Sequence, residues 1–395
     1  MDFKTHISFE PSEKAAIEEL IEGMDRTNLV SVICYFTQEY SAKKLSKLFS
    51  RLLPDVSILG CSSSKGIITE RGVHFGSVVG VIAIYDSHSD AYGSGLINFS
   101  EDELSGDMVR KAINIALHKA GREGEVPSFA IVHSTPGFEE SLIRHIDNVF
   151  QTPIPIMGAS AADNAIKGQW SIFNEDASTN RGFAIQLLFP SKPLASGFSA
   201  GYSPTLLKGT VTKAAGRELL EIDGSPAQDV YRQWIHNHVN EKLPKRLKFE
   251  FVTQYPLGRI AGSLYDQPYY KLSHPVDVNP NGGIHLFTDI QVGDKVTLMS
   301  GDKRELISRP ARVIKEAKRQ SINNFQVSGA ICIICAGAMK YLGDDIHEVY
   351  RIIKQEMKDT PFICPFTFGE QGRFINGENG HGNLMISSVT FYSSK

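Results

Sequence analysis

Residues 56–66, Val-Ser-Ile-Leu-Gly-Cys-Ser-Ser-Ser-Lys-Gly, place a thiol and three hydroxyls directly behind an apolar run. A phosphate loop would need Gly-x-x-x-x-Gly-Lys-Ser/Thr opening a helix. Here Lys65 precedes Gly66, and the Ile-Ile-Thr-Glu-Arg-Gly that follows is no helix start. A serine nucleophile elbow needs glycine two residues after its serine, but position 64 is Ser. Cys61 could act as a nucleophile if an imidazole such as His133 activated it, although a lone cysteine after a buried strand also serves as inert packing. The remaining chemistry is recognition. Small residues at a strand end let a ligand approach the backbone, and hydroxyls with free N–H groups then bind a carboxylate, phosphate or amide.

Other groups suit the same task. Gly158-Ala159-Ser160, followed by Asp163, repeats the Gly60-Cys61-Ser62 pattern. Gly369-Glu370-Gln371-Gly372 reads as a loop after an apolar strand, with Glu370 either a solvated turn residue or a pocket carboxylate for an amine or guanidinium. His381 lies in the glycine-rich Asn-Gly-His-Gly-Asn, which reads as a turn before the last strand. Cys332 and Cys335 form a C-x-x-C without the second pair that a zinc knuckle needs. Residues three apart on a strand point to opposite faces, so structural packing is the favoured reading. His274 sits among Tyr269 and Tyr270, a suitable wall for a flat cofactor. His133 is expected to face the crevice, and His236 and His238 diverge on a helix.

The elements that would position these groups repeat. Residues 28–37 read as a strand, 38–53 as an amphipathic helix and 56–60 as a second strand, a β-α-β unit. Residues 128–135, 137–150 and 154–164 repeat it, and Thr37 to Gly60 and Thr135 to Gly158 are both 23 positions apart. A looser third copy runs through 329–338, 344–358 and 361–372. Parallel β-α-β sheets place ligands outside the carboxyl ends of their strands, where both Gly-x-Ser segments fall. Between the units, 182–190, 194–203 and 207–223 read as consecutive antiparallel strands, and 248–258, 269–278 and 283–301 as further strands. Residues 224–238 read as a helix with Ser225 as N-cap, and 308–324 as another. The expected fold class is α/β, with repeated β-α-β units, additional antiparallel strands and two domains, 25–215 and 216–390.

The bulk numbers set the compartment. The 395 residues suffice for two or three domains, and a net charge of −3 argues against a nucleic-acid partner. Five cysteines, an odd and low count, suit free thiols in a reducing compartment. The N-terminal residues show no apolar signal core, and no run reaches the roughly 18 apolar residues of a membrane helix. A cytoplasmic protein with no membrane partner is expected.

Taken in order, residues 58–66, 153–173, 221–234, 289–298, 331–338 and 365–374 resemble those of FIST proteins, across roughly residues 25–390. The glycine-rich Gly-Gly-x-Ala-x-Asp of that family appears here as Gly158-Ala159-Ser160-Ala161-Ala162-Asp163, with one glycine replaced, and Gly337-Ala338 stands where members often carry Gly-Arg. The resemblance implies a FIST N-terminal domain over 25–215 and a FIST C-terminal domain over 216–390. It implies ligand sensing rather than catalysis, with amino acids one ligand class. A stand-alone subgroup binds haem, senses nitric oxide and works with a histidine kinase or a cyclic-di-GMP enzyme. On that reading Gly60, Cys61, Ser62, Gly158, Ala159, Ser160, Asp163, Gly369, Glu370 and His381 form the ligand pocket, and His274 leads as the haem ligand. The alternative is a cysteine-dependent hydrolase built on Cys61.

Overall fold

The computed structural model describes residues 1–87, 91–100, 103–240, 248–278, 282–319, 324–375 and 377–395. Its first layer pair follows from strands that are apolar on both faces. All of Leu29–Phe36 and Ser57–Ser62 is buried, so each strand needs cover on two sides. They pair in parallel, joined by the helix Ala42–Leu52. The strand Val79–Tyr85 and then Asp2–Ser8 extend the sheet on one side, and Ile172–Asn174 with Ser178–Thr179 on the other. One face packs under the helices Glu13–Glu22 and Ala42–Leu52 through Ile17, Leu20, Leu45 and Phe49. The opposite face, carrying Ile33, Tyr35 and Leu59, meets a second sheet through Ile131, Met157, Ile331, Ile363 and Phe391.

That second sheet has eleven strands and holds the other two β-α-β units. Phe129–Ser134 and Ile156–Ser160 pair in parallel around the helix Glu139–Phe150. Phe325–Cys335 and Phe362–Arg373 pair in parallel around Ala336–Leu342 and Ile346–Met357. The units join where Phe362–Arg373 runs antiparallel to Ile156–Ser160. The helices Gly106–Lys119 and Glu139–Phe150 cover one half of its outer face, and Lys303–Arg319 with Ile346–Met357 the other. The result is a helix–sheet–sheet–helix sandwich. A third, eight-stranded antiparallel sheet from Ser203 to Ser300 carries its own helix, Ala227–Val239, over Leu219, Ile222 and Leu298. The fold is mixed α/β with two domains.

Several local expectations shift. Gly182–Leu188 and Leu194–Ala200 are strands but not neighbours, pairing with Phe129–Ser134 and with Met385–Ser394 at opposite ends of the sheet. Ser203–Ala215 and Glu218–Ile222 do form a hairpin, and the expected seam at 216–225 begins in its turn. Residues 248–258 open as a short helix, Phe249–Val252, before the strand Leu257–Leu264. The helix after Ser225 begins at Ala227 with Pro226 as N-cap. The strand through Cys332 stops at Cys335, so Gly337 and Ala338 are helical. Lys303–Arg319 is helical, and residues 320–323 of the expected 308–324 segment lie outside the described residues.

Two corrections bear on function. Glu370 is not in a loop, because Phe362–Arg373 continues past Gly372. A register shift between Phe368 and Glu370 lets it bond to Ile156–Ser160, and Asn379–Gly382 pairs on its other side. For the same reason His381 lies in a strand, opposite Gln371.

Candidate functional site

A cavity of about 520 Å³ opens beyond the carboxyl ends of the parallel strands, where they meet the antiparallel sheet domain. Its wall comes from both sides. Ser64, Lys65, Gly137, Asp163, Ile166 and Trp170 contribute from the first half, and Arg217, Phe249, His274, Phe287, Gly337 and Lys340 from the second. Phe368 and Gly369 form part of the floor. Trp170, Phe249, Phe287 and Phe368 give it aromatic walls, and Trp170 and Phe368 meet edge to face at 6.1 Å.

The two Gly-x-Ser segments do not line this cavity; they hold its frame together. A Cβ on Gly60 would sit 2.2 Å from the ring of Phe173, and one on Gly158 would sit 1.9 Å from the carbonyl of Val132. These glycines make room for protein, not for a ligand. Cys61 and Ala159 lie fully buried between the sheets. Ser62 donates to the Ala162 carbonyl at 2.8 Å and accepts from the Ser171 N–H at 3.0 Å, stapling the first unit to the second. Ser63 bridges to the third unit, donating to Gly66 and accepting from the Phe366 N–H at 2.8 Å. Ser160 spends its hydroxyl on Glu139. The cavity-facing positions come a few residues later, at Ser64–Lys65 and Asp163–Ile166.

The same geometry gives the hydrolase alternative no support, because Cys61 is fully buried. Burial pushes the Cys61 thiol up, away from the thiolate a nucleophile needs. His133 does not face the crevice. It is fully buried against Tyr35, with 3.3 Å between the phenol oxygen and Nε2, and burial lowers it to about 4.

Asp163 lines the cavity but is already satisfied. Its oxygens accept from the backbone N–H groups of Ala165 at 3.0 Å, Lys167 at 2.7 Å and Gln169 at 2.9 Å, and also from Ile166. The carboxylate shapes the loop that presents Ile166 and Trp170, as aspartates do in turns.

Beside the floor lies an ion cluster that joins the halves. Arg217, in the hairpin turn, donates to Glu139 at 2.7 Å, to Glu140 at 3.0 Å and to Asp289 at 3.0 Å. Glu139 also accepts from the Gly137 N–H at 3.0 Å. His381 Nδ1 donates to Glu140 at 2.9 Å. Burial works to raise both glutamates, but the charges of His381 and Arg217 outweigh it and hold them below the ordinary carboxylate range. Burial likewise works to lower His381, yet Glu140 and Glu139 raise it above the ordinary imidazole value. Glu139, Glu140 and His381 bring one ligand atom each within 4.8 Å, a spacing a metal ion could use. The guanidinium already supplies the positive charge there, so the cluster reads as an interdomain ion network.

His381 does not line the cavity itself. Its Nε2 lies 2.1 Å from where a Gly369 Cβ would be, so only glycine fits between the imidazole and the floor. Glu370, next in the strand, is fully buried, and burial raises it far above the carboxylate range. One oxygen accepts from the Met385 N–H at 3.1 Å; the other has no protein partner, and the Cys335 thiol lies within its reach. Glu370 is thus a sealed core group that does not reach the cavity, not an amine receptor. The two cysteines of the C-x-x-C diverge as expected, Cys332 toward Cys364 and Cys335 toward Glu370.

His274 reaches the cavity wall but does not fit a haem. Its ring is stacked on Phe287 and met edge-on by Phe249, Nε2 bonds Thr253 at 3.0 Å, and the residue is only 2% exposed. A macrocycle needs an imidazole projecting edge-first into open space. Burial lowers His274 to about 3, which suits a neutral packing group.

Of the residues expected from the sequence, the structure therefore brings Asp163, Gly369 and His274 to the cavity. Sequence reasoning did not single out Lys65, Arg217, Phe249, Phe287 or Trp170 as cavity-lining residues. The one sequence signal for Arg217 was its place in the Ala-Ala-Gly-Arg-Glu turn.

Comparisons with known proteins agree with this two-part construction. The FIST N domain matches residues 30–225 and the FIST C domain residues 227–373. The uncharacterized protein MJ1623 of Methanocaldococcus jannaschii is 22% identical over 265 residues, 61% of this chain and 49% of that protein. The match thus spans about half the length of that curated relative. A crystal structure of cyanuric acid hydrolase from A. caulinodans aligns over 100% of this chain and 99% of its own, at 8% identity and a TM-score of 0.32. No helix among the described residues is long and apolar enough to cross a membrane. FIST domains are associated with small-ligand sensing in signal transduction. With both domain models matched in order over most of its length, the chain belongs to the FIST family.

Proposed function

We propose that this chain is a cytoplasmic input module. A small ligand fills the cavity between the two FIST domains, and a separate partner, such as a histidine kinase or a cyclic-di-GMP enzyme, reads the outcome. The observation that supports the reading is the dual origin of the wall. Lys65 and Trp170 come from the part matched by the FIST N domain, and Phe249, Phe287 and Gly337 from the part matched by the FIST C domain. A guest that touches both parts stabilises one mutual arrangement over another by its differential affinity. Cysteine-based catalysis is disfavoured, because the one cysteine on the wall, Cys335, is buried and has its thiol pushed up by burial and Glu370. The free cysteines Cys34, Cys61, Cys332, Cys335 and Cys364 suit a reducing compartment.

Thermal-shift screening of a metabolite library tests this on wild type and Gly337→Phe. A Cβ at Gly337 meets the end of the Leu384 side chain at 3.2 Å, Cys335 Sγ at 3.6 Å and the Phe249 ring at 3.9 Å, with no backbone in the way, so a ring there can enter the cavity beside Phe249. At a hundredfold excess over Kd, a ligand stabilises wild type by about 2.7 kcal/mol, and the Phe variant loses that gain. If no compound shifts wild type, or if hits shift both proteins equally, the proposal fails. A Soret band after haem reconstitution, lost in His274→Ala, would restore the haem reading.

A further inference from the structure

The charged groups on the cavity wall differ in what they have left to offer. Its carboxylates are committed. Asp163 holds four N–H groups of its own loop, and Glu139 accepts from Ser160, Gly137 and Arg217. Two of the basic groups are committed as well. Lys340 pairs with Glu250 at 3.0 Å and His285 with Glu218 at 2.7 Å. Two donors are not. Among the described residues the Lys65 ammonium has no hydrogen-bond or ion-pair partner; only its backbone is engaged, the N–H donating to Asn164 at 2.6 Å and the carbonyl accepting from the Gly76 N–H at 3.0 Å. Arg217 uses Nε and Nη2 on carboxylates and, among the described residues, leaves Nη1 without a partner. Lys65 is also held at φ 61, a left-handed conformation uncommon for a residue with a side chain. Such backbone persists where its surroundings fix it, as in ligand clamps.

We propose that the cavity selects a small organic anion: a carboxylate or comparably acidic group on a flat apolar body. Lys65 and Nη1 of Arg217 are the donors, and Trp170, Phe249 and Phe287 the seat. The inference rests on the cavity being the ligand site and adds the sign of the ligand's charge. A cationic guest would have to take Asp163 from its loop or Glu139 from Arg217, leaving buried donors unsatisfied. An anion meets donors that nothing else uses, and hydrogen bonds between charged groups are the strong ones.

Benzoate, benzamide and benzamidine share a ring and differ in charge, so calorimetric titration of the full chain with all three is the test. Benzoate is expected to bind at least about tenfold tighter than benzamide, the equivalent of one charged hydrogen bond, and benzamidine weakest. Lys65→Met should lower benzoate affinity about tenfold and leave benzamide unchanged, whereas Lys65→Arg should keep the preference. The proposal is overturned if benzamidine binds as tightly as benzoate, or if Lys65→Met leaves benzoate untouched. It is also overturned if benzoate fails to bind while neutral or cationic compounds do; in that case the cavity reading survives. If no compound of any charge binds, both readings fall.

Discussion

Replacing Arg217 by Met removes the guanidinium that bonds Glu139, Glu140 and Asp289 at once, joining the two halves. Arg217 is 17% exposed and Glu139 only 2%, so the pair is largely desolvated. Stripping one partner from a buried ion pair costs about 3–5 kcal/mol. The lower end applies here, because Glu139 keeps Ser160 and Gly137, and Glu140 keeps His381 and the Asp289 N–H. The half-exposed Asp289 adds little. At about 2–4 °C per kcal/mol for a unit of this size, the melting temperature should fall by roughly 6–12 °C near neutral pH. The pH dependence carries a sign. Folding depresses both glutamates below their ordinary 4.5, so their stabilisation is present above that value and fades as pH falls through the folded values. The deficit of Arg217→Met should therefore narrow on acidification. His381 is raised above 6.5 in the fold, so its contribution is complete below 6.5 and fades as pH rises through the folded value. Melting curves from about pH 2 to about pH 8, a range whose acid end approaches the depressed folded values, with surface-side Arg144→Met as control, decide the matter. A variant that melts with its control, or whose deficit is equal at both ends of the range, would refute the interdomain role of the cluster.

Gly369→Ala should destabilise by about 1–3 kcal/mol through overpacking. The new Cβ would meet His381 Nε2 at 2.1 Å, and that ring is tied to Glu140. Melting of Gly369→Ala, His381→Ala and the double variant should show positive coupling, with strictly additive losses counting against the contact. Under a small thiol reagent, Cys335 should label first and slowly, because it alone of the five cysteines lines the cavity while Cys61 is sealed between the sheets. Peptide mapping that finds Cys61 modified ahead of Cys335 would contradict this placement.

The β-α-β units were legible because continuous apolar runs such as Leu29–Phe36 and Phe129–Ser134, alternating with amphipathic helices, have few other ways to bury both faces. The family was legible because its short motifs recur in order along the chain. The site was legible only to within a few residues. The hydroxyls of Ser62 and Ser160 look ready for a ligand in sequence, but their partners, Ala162 and Glu139, are 100 and 21 positions away. Nothing local reveals that those bonds are taken. The same holds for Glu370 and His381. A glycine-rich segment reads as a turn until strand pairing across the sheet claims it; burial then raises the Glu370 carboxyl, while the carboxylates brought beside His381 raise its imidazole against burial. Local chemistry and hydrophobic period thus determined the elements and their repetition. Which polar groups remained free for a guest was decided by long-range pairing, because a hydrogen bond spent inside the protein cannot be spent again.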